Sequence, residues 1–310
     1  MLHTTRHKSG GKAAQGNLVD GRRVGTWTFW NEFGLKRAEI EYRDGRKDGW
    51  STHWHVRNHA KRAEGAYRDG RREGPWVWYF PSGVVRARAE QRVGLAHGLV
   101  EQYHDVPHAV SHAVPHAAGR AEAGILRARG ECAFGKHVGP WTTWHRNGQR
   151  ASSGVFVNGL REGVWESWHG NGNLASRGEY ARGLREGVWT FWHGNGARAS
   201  EGDYQAGRRN LFWILWHDNG RRRAEGTIVD DVLEGWWTHW YEDGQKRAEG
   251  EIRGGMQQGP WSAWHPDGSV DRRNSGMFVD DVRSPVEESS DVPDAYDERR
   301  FGARREGDSA

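Results

Sequence analysis

Apolar residues in this chain stand singly or in small groups among Arg, Glu, Thr and Gly, and they return at a fixed interval. With the Gly of a Gly-x-Trp-x-x-Trp motif as anchor, the anchors are Gly25, Gly49, Gly74, Gly98, Gly139, Gly163, Gly187, Leu211, Gly235 and Gly259. Their spacings are 24, 25, 24, 41 and then five of 24 residues. Two positions after the anchor stands Trp, from Trp27 to Trp261, with Ser51 and Val100 as exceptions. Five after it stands a second Trp, or Tyr at Tyr79 and Tyr103. Seven before the anchor the residue is mostly aromatic or aliphatic, as in Leu18, Tyr42, Phe156, Tyr180 and Ile252. Nine before it stands Gly except for Ile40 and Ala89, and eleven before it stands Ala or Ser.

Turn formers separate these columns. Asn147-Gly148, Asn171-Gly172, Asn195-Gly196 and Asn219-Gly220 recur on one side, and segments such as Asn158-Gly159-Leu160-Arg161-Glu162 on the other. Each repeat therefore predicts two short strands, a β-hairpin, and no repeat carries a helical stripe. With connections this short, successive hairpins pair into an antiparallel meander of about twenty strands, on the order of 100 Å long. The predicted class is all-β: an elongated antiparallel hairpin-repeat sheet over residues 10–283, with about ten 24-residue repeats and an insertion at about 105–128.

Strand alternation assigns the faces. Around a four-residue loop, the first Trp, the residue seven before the anchor, the Gly and the small residue share one parity. One face thus carries aromatic rings over bare glycine backbone, which shelters that backbone and recovers part of what Gly costs in a strand. The second Trp has the opposite parity and projects from the other face, among Thr142, Thr190, Thr238, Arg and Glu. An intervening bulge would reverse this assignment.

Composition fits an array better than two ordinary cores: 310 residues hold 44 Gly and 19 Trp with only 35% hydrophobic residues. No apolar run reaches membrane-spanning length, and Met1 to Gly11 has no apolar stretch of an export signal, so the expectation is a cytoplasmic protein without a membrane span. The single cysteine, Cys132, excludes an internal disulfide framework and sits in the column of apolar residues, as a small core side chain. The net charge of +4 conceals an acidic end: Ser284–Ala310 holds eight acids and four arginines, leaving about +8 for residues 1–283. Residues 1–9 are expected to be flexible and residues 284–310 a disordered acidic tail. Because every repeat mixes Arg with Glu, as in Arg247-Ala248-Glu249, the surface is of mixed charge, and no nucleic-acid partner is implied.

Seventeen histidines invite acid-base or metal chemistry. Seven of them, His55, His104, His145, His169, His193, His217 and His265, recur directly behind the second Trp or Tyr. An enzyme has no use for a general base in so many copies, so the column is structural. His104, His108, His112 and His116 are spaced by four, which on a helix would stack imidazoles able to hold Zn or Ni. Pro107 and Pro115 oppose a regular helix there, and the segment reads as a loop. No metal, cofactor or catalytic residue is assigned.

The unit Asn-Gly-x-x-x-Ala/Ser-x-Gly-x-Tyr-x-x-Gly-x-x-x-Gly-x-Trp-x-x-Trp, as in Asn171 to Trp192, resembles the MORN repeat variant of bacterial YwqK-family antitoxins. The resemblance spans about residues 10–283 and implies a non-enzymatic hairpin-repeat protein, with a toxin as the partner the family name suggests. The fourth repeat, where Val100 and Tyr103 replace both Trp, and the insertion depart from the pattern.

The expected function is a scaffold for protein-protein interaction. Its binding row is the unbroken second-Trp column Trp144, Trp168, Trp192, Trp216, Trp240 and Trp264, with Arg beside the rings. Glycan or cell-wall binding on the same aromatic ladder is the alternative from a different class.

Overall fold

The computed structural model describes residues 1–106 and 124–284. Among these the chain forms twenty-three strands, from β1 (Leu2–Arg6) to β23 (Val282–Arg283), and no helix. Every strand pairs antiparallel with the next in sequence, giving one open meander of hairpins. The all-β hairpin-repeat class is therefore observed. Within residues 1–9, β1 extends the sheet by pairing with β2 (Lys12–Val19), and Leu2 lies opposite Asn17. The exposed edge of the first full repeat gains a partner in this way. His108, His112, His116 and the acidic tail lie outside the described residues.

One repeat explains the rest. β12 (Arg150–Val157) turns into β13 (Leu160–Trp168) through Asn158 and Gly159, whose φ of 53° and 88° are those of a two-residue I′ turn. The expected four-residue loop is thus divided. Two residues form the turn, and two more are absorbed at the anchor, where Val155 faces Glu162 but Ser153 already faces Glu166. Gly163 stands in this widened stretch with φ 65°, in the left-handed region that suits glycine. Because the surplus is even, strand parity survives and the predicted faces hold. A second irregularity, where Thr143 faces Ser152 and Trp144 faces Arg150, skips one residue. It turns Arg150 to the same face as the second Trp.

The first-Trp face is the core. A Cβ built on Gly154, Gly178, Gly202 or Gly226 would come within 2.2–2.3 Å of the ring of Trp165, Trp189, Trp213 or Trp237. Each indole lies flat on glycine backbone. Its Nε1–H donates across the widened stretch, from Trp165 to the Val155 carbonyl at 3.1 Å and from Trp189 to that of Glu179 at 3.0 Å. Tyr180 closes the side edge-on to Trp189 at 5.1 Å, and the guanidinium of Arg185 covers the ring at 4.8 Å. Enclosed in this way, the first-column tryptophans are only 1–5% exposed although the sheet has a single layer. The two exceptional repeats exchange both partners: buried Ser51 faces Ile40, and buried Val100 faces Ala89. Where the indole is absent, so is the glycine it would cover.

Candidate interaction face

Both edges of the sheet are laced between repeats. At the long-turn edge His145, His169, His193 and His217 donate through Nε2 to the carbonyls of Trp168, Trp192, Trp216 and Trp240, at 2.8–3.1 Å. Tyr241 takes the position of the histidine and donates to Trp264 O at 2.8 Å. The histidine column is a structural ladder, as its repetition implied. Beside it Asn171 donates to the Gly194 carbonyl at 2.6 Å while its Oδ1 accepts the Asn173 N–H of its own turn. At the opposite edge Glu162 and Glu186 accept the N–H of Arg182 and Ala206 in the next hairpin turn, at 2.8 and 2.9 Å. The ladder also crosses the insertion: His104, just after β9 (Leu95–Tyr103), donates to Trp144 O at 2.9 Å. β10 (Leu126–Ala133) pairs with β9 from Leu126, so three residues assigned to the insertion belong to the array.

These ladders hold the second-Trp row in place. Trp144, Trp168, Trp192, Trp216, Trp240 and Trp264 lie on the polar face, one per hairpin, and all six are half-buried. Part of their cover is cationic. Arg150 stands 4.9 Å from the centroid of Trp168 and Arg198 5.9 Å from that of Trp216, as Lys36 does over Trp54. Two of these cations close ion pairs three residues on, Arg198 with Glu201 at 3.4 Å and Lys36 with Glu39 at 2.6 Å. Thr190 donates to Glu201 beside them. The single-residue irregularity that rotates Arg150 is what brings these cations to this face.

A different column of this face is more open. The residue directly after each anchor is exposed in every repeat, and it is apolar in all but Thr26: Trp50, Pro75, Leu99, Pro140, Val164, Val188, Phe212, Trp236 and Pro260. Opposite them on the following strand stand Glu90 by Pro75, Glu131 by Leu99, Glu179 by Val164, Asp203 by Val188 and Glu251 by Trp236. Sequence reading passed over this column because it was defined by Trp and Gly. The signal was a run of unlike apolar residues at one register.

Titratable groups on the core face serve packing. Burial, with Arg247 and Arg223 adding to it, pushes His239 down to about 4, and burial raises the Cys132 thiol above its ordinary value. Neither change favours a nucleophile or a charged base there. Among the described residues no three His, Cys, Asp or Glu converge as metal ligands.

Fold and face together define a β-hairpin repeat scaffold. The MORN repeat variant family matches residues 72–90, from the third repeat into the fourth, and 161–181, from the sixth into the seventh. No curated protein matches. Among solved structures, that of TcdB2-TccC3 aligns at 11% identity over 87% of this chain and 17% of that one, with a TM-score of 0.19. The Tc holotoxin pore of Photorhabdus luminescens aligns at 11% identity over 87% of this chain and 18% of that one, with a TM-score of 0.15. This chain spans less than a fifth of the length of either.

Proposed function

We propose that this chain is a non-enzymatic scaffold that binds another protein through the polar face of its sheet, with Trp144, Trp168, Trp192, Trp216, Trp240 and Trp264 in the binding row. The observation that carries this reading is a periodic set of half-buried aromatic rings, with cations over Trp168 and Trp216 and ion pairs beside them, on a face that nothing else among the described residues covers. Aromatic rings with arginine are the composition of interaction hot spots. A toxin is the partner suggested by the resemblance of the repeat sequence to YwqK-family antitoxins. The cations over Trp168 and Trp216 stand where a sugar would stack, which favours a protein over a glycan.

The test is capture of a partner from the native cells by tagged protein, with Trp168, Trp192 and Trp216 replaced together by Thr. Loss of the captured protein with an unchanged far-ultraviolet circular dichroism spectrum is expected. Unfolding of the variant would assign the rings to structure and defeat the site. Tyr replacements, which the array already uses at Tyr79 and Tyr103, give a second variant that keeps the fold.

A further inference from the structure

The column after the anchors is an exposed apolar surface that recurs along the array. Trp50, Leu99, Val164, Val188, Phe212 and Trp236 are 43–57% exposed, and from Val164 to Trp236 each is separated from the next across the sheet by the width of one hairpin. A soluble single-layer sheet gains nothing structural from apolar side chains at these positions, since Thr26 fills the same register in the first repeat. Between them run carboxylates. Elsewhere on this face charges are matched, as in Arg177 with Glu166 at 3.6 Å and Arg222 with Glu225 at 2.7 Å. Among the described residues the side chains of Glu90, Glu131, Glu179 and Asp203 have no cationic partner. From Val164 to Trp236 the apolar residues are thus interleaved with Glu179 and Asp203, with the uncharged Thr227 opposite Phe212, and Glu251 follows opposite Trp236.

We infer that this stripe docks a cationic amphipathic α-helix of another protein. The inference rests on the polar-face reading above and names the partner's chemistry. Charge decides against a second copy in face-to-face contact, which would set one row of carboxylates on another. Spacing decides for a helix along the long axis of the sheet. Strands lie about 4.8 Å apart, whereas residues 3.5 apart on a helix advance by about 5.3 Å. A helix with an apolar residue at the first and Arg or Lys at the fourth or fifth position of each heptad meets apolar and acidic groups in turn. The misfit of about 0.5 Å per strand keeps the match over two or three heptads, the span from Val164 to Trp236.

The probe is a labelled synthetic helix of three heptads, Leu at the first and Arg at the fourth position with Ala and Gln elsewhere, read by fluorescence anisotropy on the full chain. A control helix carries Glu for Arg. The Arg helix is expected to bind at least ~10-fold tighter than the Glu helix, and less tightly as salt rises. Val188→Thr, Phe212→Thr and Trp236→Thr together, all exposed and so compatible with folding, should weaken it by ~10-fold or more. Glu179→Lys with Asp203→Lys should reverse the preference between the two helices. Equal binding of both helices, or binding indifferent to these variants, overturns the inference. So does self-association of the free protein that the Thr variant abolishes, since it assigns the stripe to a second copy. If the helix fails while Trp168, Trp192 and Trp216 variants still lose a native partner, only the partner chemistry falls. If neither set of variants affects that partner, the polar-face reading falls as well.

Discussion

The pairing of indole with glycine permits a quantitative test at Gly178 and Trp189. An alanine Cβ at 178 would lie 2.3–2.5 Å from three carbons of the Trp189 ring. Carbon–carbon contact requires about 3.5–4.0 Å, so the ring must lift by about 1 Å or more. Lifting stretches the 3.0 Å hydrogen bond to the Glu179 carbonyl and leaves that group short of a donor, at a cost of about 1–3 kcal/mol. Lost contact beneath the ring adds about 1 kcal/mol, and the lower chain entropy of Ala over Gly returns about 0.4–1 kcal/mol. Gly178→Ala should therefore destabilise its hairpin by roughly 1–3 kcal/mol. Trp189→Val alone removes most of a buried ring and should cost about 3 kcal/mol or more. The double variant recreates the pair that the array uses at Ala89 and Val100. It should cost less than the sum of the singles by about 1–2 kcal/mol, with the added Cβ filling space the ring vacated. A repeat array need not unfold in one step, so the measurement is hydrogen exchange of β14 (Leu174–Ala181) and β15 (Leu184–Trp192), with the first repeats as internal reference. Strictly additive effects, or a harmless Gly178→Ala, would refute the stacking account.

Leu211 holds the anchor register with φ 58°, where every other repeat has glycine, and its side chain is half exposed. Leu211→Gly should raise stability of that hairpin by about 0.5–1 kcal/mol in hydrogen exchange, the strain relieved exceeding the entropy lost. His239 falls from 6.5 to about 4 on folding, so the unfolded chain takes up its proton first. Stability from this site is intact above about pH 6.5 and declines toward pH 4 by at most about 3 kcal/mol; His239→Phe, which copies Phe191 in the same register, should flatten the acid limb of a urea-midpoint-versus-pH curve. Removing one rung, His169→Ala, should speed exchange around Trp192 by an amount worth about 1 kcal/mol, whereas His169→Tyr should keep protection, because Tyr241 performs the same donation to Trp264.

The hairpins, their order and the division into two faces were legible in the chain because Trp, Gly and Asn-Gly recur at one period. The face assignment survived a bulge that the sequence does not announce, since Gly163 and its equivalents absorb two residues rather than one. The coupling of Ser51 with Ile40 and of Val100 with Ala89 was written in the same columns but acquires meaning only once the ring is seen lying on the backbone. Strand parity puts the second-Trp row on the face opposite the first, and the strand register agrees. Part of the cover of Trp168 and Trp216 comes from Arg150 and Arg198, which reach that face only through a one-residue skip that no local motif signals. Conversely, the open column from Trp50 to Trp236 has no shared residue type, and exposure alone distinguishes it.

The bond from His104 to Trp144 spans the point where the insertion interrupts the 24-residue period. β9 and β10 meet there in the register of any other repeat pair, and the rung forms as if the departure were an ordinary turn. Closure of the seam is therefore a property of the strand ends and indifferent to what the chain does between them. Each Asn-Gly turn along that edge is by the same logic a port: foreign sequence could be grafted at His145–Gln149 or His193–Ala197 and carried in a row at hairpin intervals, with the sheet beneath it unchanged.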